Sequence, residues 1–331
     1  MSELASSSWA PPFTLVTGGA GYIGIGTCAQ LQESGRRVRV LDALLHGQHG
    51  LADELAASGV EVQVGDVRDP AARAAALEGV DEVVHLAAIV GDPACARDPE
   101  HSHAVNVEGS TALVADAAAA GVQRFVFAST CSNYGRMADP TVPVTEDGEL
   151  APVSLYAEQK VGIEKMLLGG THGMAVTCLR FATIYGVAPR MRFDLTVNEF
   201  TRDLWAGRHL EVFGEQFWRP YVHVRDAGRA VRAVLEQPAE VVGGQVFNVG
   251  RTDENYRKLD LVEAVGKAVP DASVSYVTRA EDPRDYKVSF EKIAQVLGFT
   301  ITSTVPDGIA EVIDGLEAQR FGDPFAAAHR N

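Results

Sequence analysis

Thr17-Gly18-Gly19-Ala20-Gly21-Tyr22-Ile23-Gly24 follows directly on the apolar run Phe13 to Thr17. A strand that enters a helix through glycines at 18, 21 and 24 has few ways to fold. The glycines let the backbone turn sharply and let an anionic group, a pyrophosphate, rest on the helix N-terminus. The rest of the first half keeps the same beat. Strands are expected at Arg37 to Leu41 (ending on Asp42), Val60 to Val64, Glu82 to Ala87, Arg124 to Ser129 and Ala175 to Arg180. Helical stretches separate them, notably Asn106 to Ala120 and Tyr156 to Leu168. β-Rich runs alternating with helices predict an α/β fold with a doubly wound parallel (Rossmann) sheet. After Gly186 the rhythm loosens. A dinucleotide-binding domain over 1–186, with returns to the sheet at about 217–250 (Tyr221 to Leu235, Val246 to Gly250), is expected beside a smaller C-terminal substrate-binding lobe from 187–216 and 251–331.

Asp42 closes the second strand about twenty residues past the turn. A carboxylate there accepts hydrogen bonds from the adenosine ribose and repels a 2′-phosphate, which points to NAD rather than NADP. Far downstream, Tyr156-Ala157-Glu158-Gln159-Lys160 places a phenol and an ammonium on one helix face. Free tyrosine titrates near ~10, too high for a base at neutral pH. A neighbouring cation favours the phenolate, so Lys160 is expected to lower the pKa of Tyr156. A base of that kind suits an enzyme that takes a hydride from an alcohol and must also accept the hydroxyl proton.

The 331 residues carry a formal net charge of −15, which argues against a nucleic-acid or anionic-membrane surface. No apolar run reaches spanning length, and Met1 to Pro12 lacks the order of a signal peptide, so the cytoplasm is expected. Cys28, Cys95, Cys131 and Cys178 are widely spaced. They suggest reduced thiols, with neither a zinc site nor a disulfide framework, and no metal-ligand cluster appears.

With these residues placed, nearly the whole chain resembles the extended short-chain dehydrogenase/reductases, particularly nucleotide-sugar epimerases and dehydratases. Gly18, Gly21, Tyr22, Ile23 and Gly24 form the cofactor turn. Gly65-Asp66-Val67-Arg68-Asp69 is similar to the family's adenine-contacting loop, through Asp66 and Val67. Val84-His85-Leu86-Ala87-Ala88 is similar to the strand along the cofactor, through Leu86, Ala87 and Ala88, and Asn106-Val107-Glu108-Gly109 to the family's N-V-x-G, which implies that Asn106 also binds the cofactor. Phe127-Ala128-Ser129-Thr130-Cys131-Ser132-Asn133-Tyr134-Gly135 is similar to the strand bearing the active-site hydroxyl. The resemblance implies that Thr130, Tyr156 and Lys160 are catalytic and that Lys160 also holds the cofactor ribose. It further implies a substrate site of Ser132, Thr183, Thr196, Val197, Arg219 and Arg284, the two arginines gripping a diphosphate, and a homodimer through the helices at 106–120 and 156–168.

Three departures stand out. Dehydratases and decarboxylating relatives carry an acid where this chain has Ser132. Thr183 stands where asparagine is typical, and Pro220 replaces an aspartate. Cys131 is expected to point away from the substrate, and His85 and His223 to be structural, while His46 and His49 look solvated. The implied activity is an NAD-dependent nucleotide-sugar epimerase, with C4 chemistry through a 4-keto intermediate. A nucleotide-sugar 4-ketoreductase comes next, then a dehydratase or decarboxylase. A non-enzymatic dinucleotide sensor has no need of Thr130, Tyr156 and Lys160 together.

Overall fold

Seven strands form the central sheet of the computed structural model, which describes residues 11–137, 139, 142–277 and 284–331. They are β1 (Phe13–Thr17), β2 (Arg37–Asp42), β3 (Glu61–Val64), β4 (Glu82–His85), β5 (Arg124–Thr130), β6 (Ala175–Phe181) and, later in the chain, β10 (Gln245–Val249). Their order is β10-β6-β5-β4-β1-β2-β3, and every neighbouring pair is parallel. β1 and β4 are buried along their whole length, because helices cover both faces; such strands read as continuous apolar runs. One apolar cluster lies on each face: Val40, Val84, Val126 and Val231 on one, Leu15, Leu41, Phe125 and Leu113 on the other. The strand order reverses between β1 and β4, and a crevice opens there at the carboxyl ends of the strands.

Local chemistry sets the helix starts. Asp69 caps the helix Pro70–Leu77, with proline in its first turn. Ser154 accepts from the Ala157 amide and starts the helix Leu155–Gly169, which carries Tyr156 and Lys160. The helix expected from Asn106 divides in two: a π-helical stretch, Ala104–Gly109, runs into an α-helix, Ser110–Ala119.

The C-terminal lobe takes β7 (Thr183–Tyr185), β8 (Leu210–Phe213), β9 (Trp218–His223), β11 (Asn255–Arg257) and β12 (Val274–Val277). Helices Thr196–Trp205, Lys258–Ala268 and Val305–Glu317 pack there around Tyr185, Tyr221, Val212 and Ile309. One expected return to the sheet is corrected. β10 takes the free edge of β6, whereas β9 lies between β11 and β7 in a separate three-stranded sheet. β9 works at the seam: Tyr221 faces the lobe's core and Val222 the main one. Met1–Ala10 and the loop residues Asp282 and Pro283 lie outside the described residues.

Candidate active site

The glycine turn forms the floor of the crevice. Gly18 has φ +73°, and a Cβ there would sit 2.8 Å from the Ala87 amide nitrogen. A Cβ on Gly24 would sit 2.3 Å from the Gly18 carbonyl oxygen. Only glycine permits this fold-back. The helix Gly24–Glu33 then begins with no side-chain cap and no acid in its first turn. Its leading amides and dipole suit an anion, so the turn fits the pyrophosphate of a dinucleotide.

Asp42, the last residue of β2, is nearly buried. Its carboxylate accepts from the Ala20 amide at 3.0 Å and the Leu44 amide at 2.9 Å. Burial nevertheless raises its pKa, against those two hydrogen bonds and the attraction of Arg190. Asp66 is drawn the other way by Arg68, which pairs with it at 2.6 Å. Both line the cleft with Gly18, Gly21, Tyr22, Ile23, Gly24, Val67, Leu86, Ala87 and Ala88. The Tyr22 hydroxyl is already committed, donating to the Gly186 carbonyl at 2.6 Å.

Thr130, Ser132, Tyr156, Lys160, Thr183 and Arg284 line the same cleft. β5 ends at Thr130, whose hydroxyl accepts from the Ser132 amide at 3.1 Å and starts the short turn Cys131–Tyr134. Cys131 is buried, with its thiol on the Arg180 carbonyl at 3.2 Å. It does point away from the cleft, while Ser132 faces in.

The expected effect of Lys160 on Tyr156 is corrected. The Lys160 ammonium donates to the Ala128 carbonyl at 2.8 Å and lies 5.9 Å from the Tyr156 ring centroid. Burial pushes the Tyr156 phenol up, Cys95 and Asp92 add to the rise, and Arg192 opposes it. Lys160 is itself pushed down to about 8, chiefly by burial. Burial dominates, and Lys160 is not among the charges that shift Tyr156.

Four of the expected ligand residues do not line the cleft. Asn106 is buried beneath it: its side chain accepts from the Ile89 amide at 2.8 Å and donates to the Ile89 carbonyl at 3.0 Å and to Gln159 Oε1 at 2.8 Å. It ties the loop after β4 to the helix of Tyr156 and Lys160. Val197 is buried among Phe200, Leu204 and Tyr185, and neighbouring Thr196 opens that helix. Arg219 lies behind Tyr286, its guanidinium 5.1 Å from the ring centroid, and donates to the Trp218 carbonyl at 2.6 Å. Arg284 does line the wall and pairs with Asp92 at 2.8 Å.

Both structural histidines are where the apolar runs put them. His85 bonds Thr17 at 2.7 Å and Ser110 at 2.8 Å, and burial drives its pKa to about 3. His223 pairs with Glu311 at 2.7 Å. His46 is exposed, as its solvated reading expected, and it also borders the cleft, where burial first and then Arg190 and Arg192 lower its pKa to about 4. Sequence reading also missed Asp92, Arg190, Arg192, Tyr286 and Asn331, all in the cleft wall. The run Pro189-Arg190-Met191-Arg192 was the available signal. Among the described residues no His, Cys, Asp or Glu cluster could hold a metal, and no helix is long and apolar enough to cross a membrane.

A doubly wound sheet with a glycine turn at its switch point, and a Tyr-Lys pair on the opposite wall, defines a dinucleotide-dependent enzyme of the extended short-chain dehydrogenase/reductase class. Residues 14–250 match the model of the NAD dependent epimerase/dehydratase family, and the chain belongs to that family. A UDP-glucose 4-epimerase of Rhizobium meliloti is 31% identical over 320 residues, covering 86% of this chain and 91% of its own. The dTDP-glucose 4,6-dehydratase DesIV of Streptomyces venezuelae, solved with NAD bound, superimposes with a TM-score of 0.84 at 28% identity, covering 95% of this chain and 100% of that one. The UDP-glucose 4-epimerase of Thermus thermophilus, in complex with NAD, gives 0.81 at 26% identity, covering 92% and 99%.

Proposed function

We propose that the chain is an NAD-dependent nucleotide-sugar epimerase that inverts C4 through a 4-keto intermediate. One observation carries the choice among family reactions. Three carboxylates line the cleft among the described residues, and each is held by a partner: Asp42 by the Ala20 and Leu44 amides, Asp66 by Arg68, and Asp92, through Oδ2 alone, by Arg284. Ser132 stands beside Thr130 where an acid for water loss is needed. Proton and hydride transfer at one carbon requires no such acid.

Thr130 orients the sugar 4-hydroxyl, and Tyr156 takes its proton and later returns it. Bound nicotinamide supplies a hydride acceptor and donor, and its positive charge offsets the burial that disfavours the Tyr156 phenolate. Lys160 holds the cofactor ribose and adds positive charge behind the tyrosine. Arg284 exchanges Asp92 for the substrate diphosphate, and Ser132 and Thr183 face the sugar. Asn106, Thr196, Val197 and Arg219 act from behind the wall, by fixing the loops and rings that touch ligand. The two-lobe division, a homodimer through the helices at 110–119 and 155–169, and a cytoplasmic location belong to the same reading.

A second reading, a 4,6-dehydratase, is favoured by Asp92, whose Oδ1 is buried without a hydrogen-bond partner, and by the likeness to DesIV. Incubation with a panel of UDP-, dTDP- and GDP-sugars, with products resolved by NMR, separates the two. Epimerisation gives a C4 epimer with no net NADH. A 4-keto-6-deoxy product, or no conversion of any nucleotide sugar, overturns the proposal.

A further inference from the structure

Between β7 and the helix Thr196–Trp205, residues 186–195 cross the mouth of the cleft as a strap. Met191 and Phe193 pack with Val312 and Leu316, while Arg190, Arg192 and Leu195 line the cleft. Asn198 holds the base of the strap: its side chain accepts from the Gly186 amide at 2.9 Å and donates to the Arg192 carbonyl at 2.9 Å. Residues 329–331 bolt the far side. The Phe193 amide donates to the His329 carbonyl at 2.9 Å, and the Asn331 amide to Asp194 at 3.3 Å. Asn331 also donates to the Val90 carbonyl, on the opposite lip, at 3.4 Å.

The two strap arginines differ. Arg192 has a carboxylate partner, pairing with Asp194 through Nε at 3.0 Å and Nη2 at 2.6 Å. Arg190 is only 6% exposed, yet its Nε has no hydrogen-bond partner among the described residues. Its Nη2 donates to Asn331 Oδ1 at 2.7 Å and to the Arg330 carbonyl at 3.3 Å. A buried cation with an unmet donor is costly unless a ligand completes it. Burial and the adjacent Arg192 lower its pKa to about 10, against the pull of Asp194 and Asp42. Asp42 attracts it from the end of β2, but each Asp42 oxygen already accepts a backbone amide. Arg190 therefore lines the cleft as a buried cation in no ion pair with any carboxylate of the described residues, and an anion in the cleft on the cofactor side would supply that counter-charge.

We propose that Arg190 is a clasp for the dinucleotide diphosphate, in the same cleft as the glycine turn, and that Arg330 and Asn331 hold its strap in place and so set how long the cofactor stays bound. Nη2 is taken by Asn331 and Arg330, so Nη1 is the donor left to give a phosphate oxygen a charge-assisted hydrogen bond. An enzyme whose cofactor ends each cycle unchanged gains from such retention.

The test is calorimetric titration of NAD, ADP-ribose, adenosine, NADP and UDP into the native protein and into Arg190→Ala, Arg190→Lys and Asn331→Ala, with NADH release followed by stopped-flow fluorescence. Arg190→Ala should weaken NAD and ADP-ribose by about 10- to 100-fold, the range of one charge-assisted hydrogen bond, and leave adenosine unchanged. Arg190→Lys should recover part of the loss. Asn331→Ala should speed NADH release several-fold without altering adenosine binding. NAD affinity within twofold of native in both Arg190 variants overturns the clasp. So does an equal loss for adenosine, a loss confined to UDP (the substrate's diphosphate) or one confined to NADP (a 2′-phosphate). Native NADH release in Asn331→Ala overturns the latch. Should Arg190→Ala fail to fold, Arg190→Lys and Asn331→Ala still decide the matter.

Discussion

Lys160→Met should make the protein more stable and almost inactive. Lys160 is 4% exposed, and burial lowers its pKa from 10.5 to about 8. That lowering corresponds to about 3 kcal/mol, at ~1.36 kcal/mol for each tenfold change in the ionisation equilibrium. That is the cost of keeping the folded lysine charged. Methionine removes the charge but leaves the Ala128 carbonyl without its donor, which costs about 1–3 kcal/mol. The net gain at pH 7 is then up to about 2 kcal/mol, or up to a few degrees in Tm. The sign with pH follows from linkage. Below the folded pKa of about 8 the lysine is charged in both states and the whole penalty is present. Between about 8 and 10.5 the folded lysine loses its proton before the unfolded one, so native stability rises with pH and the advantage of methionine fades. Urea unfolding of both proteins at several pH values from 7 to 10.5, without added NAD, reads this directly. A variant less stable than native at pH 7, or a stability gap that does not move between pH 8 and 10.5, would refute the reasoning.

The remaining predictions concern ligands and chemistry. Tyr156→Phe should lower turnover by ~10²–10⁴-fold, the usual cost of losing a general base, while the protein stays folded and NAD-bound; near-native turnover in a nucleotide-sugar assay removes the base from the mechanism. Asp42→Ala should narrow a strong preference for NAD over NADP, measured by titration, and equal native affinity for both contradicts the assignment. Arg284→Ala should weaken a nucleotide diphosphate by roughly 1.5–3 kcal/mol and hardly change NAD. Arg219→Ala should act mainly on stability, because Arg219 sits behind Tyr286 rather than in the cleft wall; a selective loss of diphosphate binding restores its expected role.

What the sequence made legible is what is written locally. β1 and β4 read as strands because burial on both faces leaves apolar runs, and the turn between β1 and its helix needs glycine at Gly18 and Gly24 for steric reasons that involve few neighbours. Tyr156 and Lys160 share a face because helix geometry dictates it. Partner choice is different. Nothing local in Tyr221-Val222-His223 says that β10, not β9, takes the edge of β6, since both runs are apolar and only the assembled fold decides between them. Its motif implies that Asn106 serves the cofactor, but its amide is spent on Ile89 and Gln159.

The Tyr156 pKa shows the deeper limit. Spacing reveals which charges are close, whereas desolvation depends on every atom packed around the phenol, and here it reverses the direction that spacing implied. The same applies to the strap. Arg190 and Asn331 meet across 141 positions, and neither looks like more than a surface residue in isolation. Folding gives Arg190 its meaning by burying the guanidinium, supplying partners to part of it, and leaving Nε without one. An incomplete buried cation, more than any motif, marks where this fold still expects an anion.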